Sequence, residues 1–268
     1  MQIGGQALPG GVMIRTPDAW AVAIRKPDGT IHRERHVIET GVALPLVRGP
    51  AMISSALRIG VRALRVAVRE TTGVEPAARQ LAVTFGAAGV AILAIFIVAP
   101  GVLIGGHGIT GAFIEAVIRL AMLVAYLFVI SRSAQTRQVL RYHGAEHKVI
   151  AAYERGGTIP MRSQAALVSP IHMRCGTTFI ALFVIVCGVV FAVVPRTPLW
   201  IGALARVALT PVVVALAYEV MRGAARESRA VWARAVSWPG RALQHITTRE
   251  PDGDELDVAI AALDSLLA

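Results

Sequence analysis

The length, composition and charge of this chain exclude several classes of protein. Of its 268 residues, 55% are hydrophobic and only 16% are charged, against about 25% charged residues in soluble proteins, and the mean hydropathy is +0.60. The net charge is +10, but the sequence contains neither a basic stretch interleaved with aromatic residues nor a recognisable nucleic-acid-binding module. Nucleic acid is therefore excluded as the expected partner. Two cysteines do not make a disulfide framework. We therefore expect a membrane protein whose basic residues face anionic lipid.

The first 50 residues predict a small β unit. The strand-like runs 20–25 (WAVAIR) and 30–37 (TIHRERHV) flank Lys26, Pro27, Asp28 and Gly29, which form a turn signal. The glycine pairs GG at 4–5 and 10–11 indicate tight turns or close backbone approach. They do not have the spacing of a phosphate-binding loop.

Residues 51–80 predict a basic amphipathic helix. Arg58, Arg62, Arg65 and Arg69 recur at helical spacing with apolar residues between them. Such a helix is typical of a membrane surface, and here it would lie on the anionic inner leaflet. The alternative is a surface helix packed on the cytoplasmic part of the protein.

Four apolar runs predict four transmembrane helices, in hairpins over 81–130 and 177–221. The clearest run, 81–104, has no charged residue in 24 positions, which is enough for about 36 Å of helix. The other three are 110–130, 177–194 and 199–221. Glu115 and Arg119, four apart in the second run, are interpreted as an ion pair that Arg206 could join.

The basic residues predict the orientation. Of 27 Lys and Arg, 11 precede the first run, 7 lie between the second and third, and 6 follow the fourth. The positive-inside rule then places both termini and the central segment 131–176 in the cytoplasm, and the protein as a multi-pass protein of the inner (plasma) membrane.

The central segment holds the most informative motif. In RYHGAEHK at 141–148, His143, Glu146 and His147 leave one face of a helix. Two imidazoles suit zinc, and the adjacent carboxylate can act as a general base, an H-x-x-E-H order found in inverzincin metallopeptidases. The alternative is a set of packed or solvated side chains.

A second cluster strengthens the metal prediction. His172 and Cys175, about 25 residues later, form an H-x-x-C pair that can complete a metal site. Glu219 lies at the end of the fourth apolar run that shares a membrane face with His143, His147 and Cys175. It is a further candidate ligand or a partner of a ligand. In the alternative interpretation none of the three binds a metal. Cys175 is then a small buried apolar side chain, His172 is a loop residue with ordinary hydrogen bonds, and Glu219 is a carboxylate at the membrane interface.

The C-terminal segment 222–268 predicts two helices. The basic stretch 222–241 contains Trp232 and Trp238, and suits an interfacial helix ended by Pro239 and Gly240. An acidic stretch then precedes a short amphipathic helix that would dock on the cytoplasmic domain. The fold class is thus mostly α, with about four transmembrane helices, a small N-terminal cytoplasmic β unit and interfacial amphipathic helices.

Five separated motifs resemble the YqhQ-like bacterial membrane proteins, a family of unknown function commonly labelled a predicted metal-dependent enzyme. The motifs are GGQALPGGVMIR at 4–15, PLVRG at 45–49, YHGAEHK at 142–148, HMRCGTTF at 172–179 and TTREPD at 247–252. The resemblance implies that the candidate ligands and Glu146 belong to the family pattern, but it supplies no substrate. This chain departs from it at Gly10, where relatives carry an acidic residue, and at Met173, where they carry proline.

Three functions remain open at this point. The first is a membrane-anchored metal-dependent hydrolase, in which His143 and His147 bind zinc with a third ligand from His172, Cys175 or Glu219, and Glu146 is the base. The second is a scaffold or assembly factor with a closed structural zinc site. The third is a small transporter, with Glu115, Arg119 and Arg206 in its pathway.

Overall fold

The computed structural model describes residues 3–38, 48–103, 108–173, 175–194, 198–227 and 229–268. The first three residues of the PLVRG motif and Arg174 of the HMRC motif lie outside these ranges. The chain begins with an antiparallel sheet in the order β1 (Gly4–Leu8), β2 (Gly11–Arg15), β3 (Ala19–Arg25) and β4 (Ile31–Val37). The predicted β unit is confirmed as β3 and β4, and β1 and β2 extend it to four strands.

Helices cover both faces of this sheet. On one face, α1 (Arg48–Thr72) packs Ile59, Ala63 and Ala67 against the Trp20 side of the sheet. On the other face lie α5 (Ala134–Gly156) and α10 (Gly253–Leu267). Because both faces are buried, β2 and β3 are apolar almost without interruption and do not alternate. Helix α1 therefore packs on the sheet, and its contact with lipid stays a prediction.

Four helices are long and apolar enough to cross a membrane, at Ala78–Leu103, Thr110–Ile130, Gly176–Val193 and Leu199–Arg226. The expected spans are confirmed to within a few residues at their ends. The elements are α2 (Ala78–Ile92), a π-helical segment (Leu93–Val98), α3 (Ala99–Leu103), α4 (Gly108–Ile130), α7 (Gly176–Val190), a 3-10 turn (Phe191–Val193) and α8 (Leu199–Arg226). The chain is a membrane protein with a small sheet domain at one end of its spans.

Three charged residues inside the spans, Glu115, Arg119 and Arg206, form one buried cluster. Arg119 Nη2 donates to Glu115 Oε1 at 2.7 Å, and Arg206 Nη2 donates to Glu115 Oε2 at 3.2 Å. The Arg119 Nε also donates to the carbonyl oxygen of Phe96, at 2.6 Å, in the π-helical segment. The predicted ion pair is confirmed, and Arg206 joins it.

The C-terminal helices differ from expectation at one point. The short helix α6 (Arg162–Ala166) precedes α7, and α9 (Val231–Thr247) follows α8. We expected α9 to end at Pro239 and Gly240, but it continues through both. Proline removes one helical hydrogen bond; Gly240 lets α9 approach α7 so closely that a Cβ there would lie 2.4 Å from the Thr178 Cα. The predicted final helix, α10, does dock on the sheet domain.

Candidate metal centre

Three potential metal ligands converge where α5 meets the start of α7. His143 and His147 lie one turn apart on α5, and their rings are 4.4 Å apart between centroids. Cys175 is the N-cap residue of α7, and its Sγ accepts from the backbone N–H of Thr177. One ring nitrogen of each histidine and the Sγ of Cys175 lie within 4.8 Å of one another. The structure thus brings the two sequence motifs together.

Backbone carbonyls fix the tautomer of both histidines. The Nδ1 of His143 lies 2.6 Å from the carbonyl oxygen of Thr247, and the Nδ1 of His147 lies 2.5 Å from that of Pro170. A carbonyl oxygen only accepts, so each Nδ1 carries the proton and donates it. Each Nε2 is then left with a lone pair. Metal-binding histidines are oriented in this way in proteins of known function.

The spacing of these atoms suits zinc. Tetrahedral ligands at about 2.0–2.1 Å for nitrogen and about 2.3 Å for sulfur lie roughly 3.3–3.6 Å from each other. The His143 Nε2 to Cys175 Sγ distance is 3.3 Å. Because the His143 Nε2 carries a lone pair, a thiol at Cys175 would donate a hydrogen bond to it across this distance. The donor set of two imidazoles and one thiolate is one that zinc favours.

Glu146 projects into the same small cavity. The cavity has a volume of about 40 Å³, room for an ion and one or two waters at about 10–15 Å³ each. Its lining comprises Ile3, Gly4, Gly5, His143, Glu146, His147, Ile150, His172, Cys175 and Gly176. The Glu146 Oε2 is buried and has no hydrogen-bond partner among the described residues. Burial raises the pKa of this carboxyl to about 7, although His143 and His172 oppose the rise.

Strand β1 closes one side of the cavity. A Cβ at Gly5 would lie 2.7 Å from Glu146 Oε1 and 2.7 Å from the backbone oxygen of Met13, whereas a Cβ at Gly4 would meet nothing within 4 Å. Only glycine therefore fits at residue 5. The close backbone approach that the glycine pair suggested is confirmed here, but its target, Glu146, was not predicted.

His172 lines the cavity without joining the group of three. Its backbone N–H donates to Gln244 Oε1 at 2.8 Å, and Gln244 Nε2 donates back to its carbonyl oxygen at 2.8 Å. The ring Nε2 lies 3.2 Å from Glu154 Oε2, and the ring centroid lies 5.8 Å from that of His147. Burial lowers the pKa of His172, which favours the neutral imidazole.

Glu219 lies elsewhere in the structure. Both oxygens of its carboxylate accept hydrogen bonds from the Arg48 guanidinium, at 2.7 and 2.5 Å. Arg48 is the first residue of α1 and is 171 positions away in the chain. Glu219 is not among the residues that line the cavity, and its pairing joins α1 to α8.

The TTREPD segment supports the site, a role that sequence reasoning did not identify. Thr247 supplies the carbonyl oxygen that orients His143, and the Arg249 N–H donates to the Leu140 carbonyl at 3.0 Å. Glu250 pairs with the buried Lys148. A Cβ at Gly144 would lie 2.0 Å from the Arg249 oxygen. The glycine in YHGAEHK was the signal that another backbone lies against this face of α5.

Another group of potential ligands lies between β4 and α1. His32, Glu34 and Glu70 also come close enough to hold an ion. Both carboxylates, however, already form ion pairs with Arg69. Because a cationic guanidinium already neutralises these carboxylates, the α5 cavity is the better candidate for a metal site.

Comparison with known proteins identifies the family. A family model described as "Protein of unknown function (DUF1385)" matches residues 44–268. The chain is also 30% identical over 293 residues to the "Uncharacterized protein YqhQ" of Bacillus subtilis (strain 168), which covers 98% of this chain and 92% of that protein. No solved structure matches the chain. Neither name states a metal or a reaction. The chain belongs to the DUF1385 family, whose members include YqhQ-like proteins of unknown function.

Proposed function

We propose that the protein is a membrane-bound, zinc-dependent hydrolase. His143, His147 and Cys175 are the zinc ligands and Glu146 is the general base. The observation that carries the proposal is the convergence of three ligand atoms within 4.8 Å beside a buried carboxylate oxygen that has no partner among the described residues. Three protein ligands leave one coordination position open, as in catalytic zinc sites.

The residues around the cavity have different roles in the proposed reaction. Zinc bound there would supply a Lewis acid that polarises a water or a carbonyl oxygen. Glu146 would take a proton from the attacking water and return it to the leaving group. Burial raises the pKa of this carboxyl, which makes Glu146 a stronger base toward the attacking water than an exposed carboxylate would be. Thr247 and Pro170 hold the histidine rings in place through their carbonyl oxygens.

We place this site on the cytoplasmic side of the plasma membrane. The proposal follows from the sequence positions of 24 Lys and Arg, which fall in the two terminal segments and the central segment, the three segments that four crossings leave on one side of a membrane. Single cysteines at Gly157 and at the C-terminal Ala268 should resist a membrane-impermeant thiol reagent in intact cells, while one at Leu199 should react. Labelling of Gly157 from outside would reverse the orientation.

A closed structural zinc site is the second candidate. It is favoured by the small volume of the cavity, about 40 Å³, and by β1, which lies across it, because a structural site needs space for the ion and not for a substrate. In this case His172 would move to become the fourth ligand, and the protein would act as a membrane scaffold or assembly factor.

Metal content tests both candidates. Purified protein should carry about one zinc per chain, and His143→Ala, His147→Ala and Cys175→Ser should each lose it. The matched controls are His245→Ala, an exposed histidine, and Cys187→Ser, a buried thiol inside a span; both should keep the metal. Equal zinc in wild type and ligand variants would contradict both candidates and leave the Cys175 to His143 contact as a simple hydrogen bond.

Glu146→Gln separates the two candidates. A general base is not a ligand, so in the hydrolase the variant should keep zinc and fold but fail to complement a deletion strain. In a structural site the neutral amide should leave complementation intact. Full complementation by Glu146→Gln together with retained zinc would contradict the hydrolase and support the scaffold.

A further inference from the structure

An apolar groove runs between α1 and the start of the first span. Its volume is about 360 Å³, and almost all of its surface is apolar. The lining residues are Leu57, Arg58, Val61, Arg62, Arg65, Ala78, Leu81, Ala82 and Phe85. Pockets for small molecules have volumes of about 300–1,000 Å³, so the groove is large enough for part of an amphiphilic ligand.

The helix that forms one wall of the groove, α2, is the least buried part of the first span. Helix α2 has no buried residue, and 6% of the most apolar window of the first span is buried in the protein. It leaves α1 through a turn at Gly73, where φ is +72°. Because this helix is long and apolar enough to cross a membrane, acyl chains are the medium that surrounds this wall.

Unpaired arginines border the groove. Arg58 and Arg62 are exposed, and neither has a carboxylate partner within the described ranges, whereas Arg65 pairs with Glu75 at 2.7 Å. Their aliphatic stems line the apolar groove, so their guanidinium groups must lie at its edge. A guanidinium fork matches the oxygens of a phosphate.

The same two arginines also line a second groove, on the sheet side of α1. This groove, of about 320 Å³, is lined by Arg58 and Arg62 together with Ser55 and apolar residues such as Trp20 and Val37, and somewhat more than half of its surface is polar. The guanidinium groups therefore stand between an apolar groove toward the span and a more polar groove toward the sheet. That order matches a molecule with an acyl chain, a phosphate and a hydroxyl-bearing headgroup.

We propose that α1 and α2 bind one anionic glycerophospholipid, with an acyl chain in the groove beside Phe85, the phosphate on Arg58 and Arg62, and the headgroup toward Ser55. The site is separate from the zinc cavity and does not depend on the proposed hydrolase. It holds the sheet domain against the membrane surface at the point where the first span begins.

Native mass spectrometry of the detergent-solubilised full-length protein tests the proposal. Titration with phosphatidylglycerol should give a one-to-one adduct at concentrations at which phosphatidylcholine gives none. Arg58→Gln/Arg62→Gln should weaken this adduct by about tenfold or more, because each arginine beside an anionic headgroup contributes roughly fivefold. Arg226→Gln/Arg229→Gln removes two exposed arginines of the same membrane side and should leave the adduct unchanged.

A second variant tests the acyl-chain groove. Ala82→Trp fills the groove from an exposed position of α2, so folding should survive while the phosphatidylglycerol adduct is lost. Glycerol phosphate and inorganic phosphate should not compete with the lipid at equal concentration, because neither carries a chain. Equal binding of the two lipids, equal loss in the Arg226/Arg229 control, or an unchanged adduct in Ala82→Trp would each overturn the proposal. A dimer abolished by Ala82→Trp would instead place a second copy of the chain there.

Discussion

A single buried carboxylate decides the chemistry of the candidate site at the residue scale. Glu146 lies on the protected face of α5, between two histidines whose tautomers are fixed. The sequence predicted the shared face of these three residues because helical spacing alone determines it. It could not predict that one oxygen of Glu146 lacks a partner among the described residues, because that depends on β1, about 140 positions away in the chain.

The first prediction concerns the pH dependence of the metal-free protein. The pKa of Glu146 is raised from 4.5 to about 7. Well below pH 4.5 the carboxyl is protonated in both the folded and the unfolded chain, so its ionisation does not affect the free energy of unfolding. As pH rises toward 7 the unfolded chain ionises first, and folding is penalised by up to about 3 kcal/mol. Glu146→Gln should therefore be the more stable protein at pH 8, and similar to wild type at pH 4–5.

Thermal unfolding of chelator-treated protein at pH 5 and pH 8 measures this effect. Glu227→Gln, at an exposed position, is the control and should follow wild type at both values. Addition of zinc at pH 8 should reverse the order of stability, because a cation beside the carboxylate removes its penalty. Identical pH dependence in wild type and Glu146→Gln would show that Glu146 is not desolvated.

At the scale of elements, the candidate site depends on strands and helix ends that the sequence pattern did not predict. The strands β1 and β2 have five residues each, and the β1–β2 region carries four glycines, which have low strand propensity. They are strands because β1 pairs with β2 and β2 pairs with β3, and such pairing is not a local property. The continuation of α9 through Pro239 has the same kind of cause, since packing against α7 outweighs one missing hydrogen bond. The pairing of Glu219 with Arg48 likewise required the fold.

The second prediction compares adjacent glycines in β1. Gly5→Ala forces a Cβ to 2.7 Å from Glu146 Oε1 and from the Met13 oxygen, while Gly4→Ala adds a methyl group in open space. Displacement of β1 or Glu146 should cost about 1–3 kcal/mol in Gly5→Ala and weaken zinc binding. Gly4→Ala should stay within about 0.5 kcal/mol of wild type.

Thermal unfolding and zinc content of the two purified variants check this comparison. Both variants add one methyl group to β1, so a difference in stability reports the two close contacts at residue 5, and a loss of zinc only in Gly5→Ala reports the contact with Glu146. If both variants behave alike, then β1 moves freely from the cavity and does not close it.

At the scale of the whole molecule, the spans were the part most open to prediction. Each apolar run coincides with a helix because transfer into hydrocarbon depends on local composition. What joins the spans is the cluster of Glu115, Arg119 and Arg206, whose side chains are at most 2% exposed. Both guanidinium groups lie over the Phe191 ring, with Cζ 5.5 and 5.9 Å from its centroid. They are held by Glu115 and by backbone carbonyls, which favours a structural connection over the transport pathway considered from sequence.

The last prediction tests this connection. Glu115→Gln leaves two buried guanidinium groups without their shared carboxylate, and breaking a buried pair in this way costs about 3–5 kcal/mol. Glu75→Gln removes a partner from an exposed pair and should cost about 0–1 kcal/mol. The double variant Glu115→Gln/Arg206→Gln has the same net charge in the cluster as wild type. It should therefore be no less stable than Glu115→Gln alone, which would show that the two substitutions are not additive. Thermal unfolding of the three purified variants in one detergent measures the order. Equal losses in Glu115→Gln and Glu75→Gln would mean that the cluster does not hold the spans together.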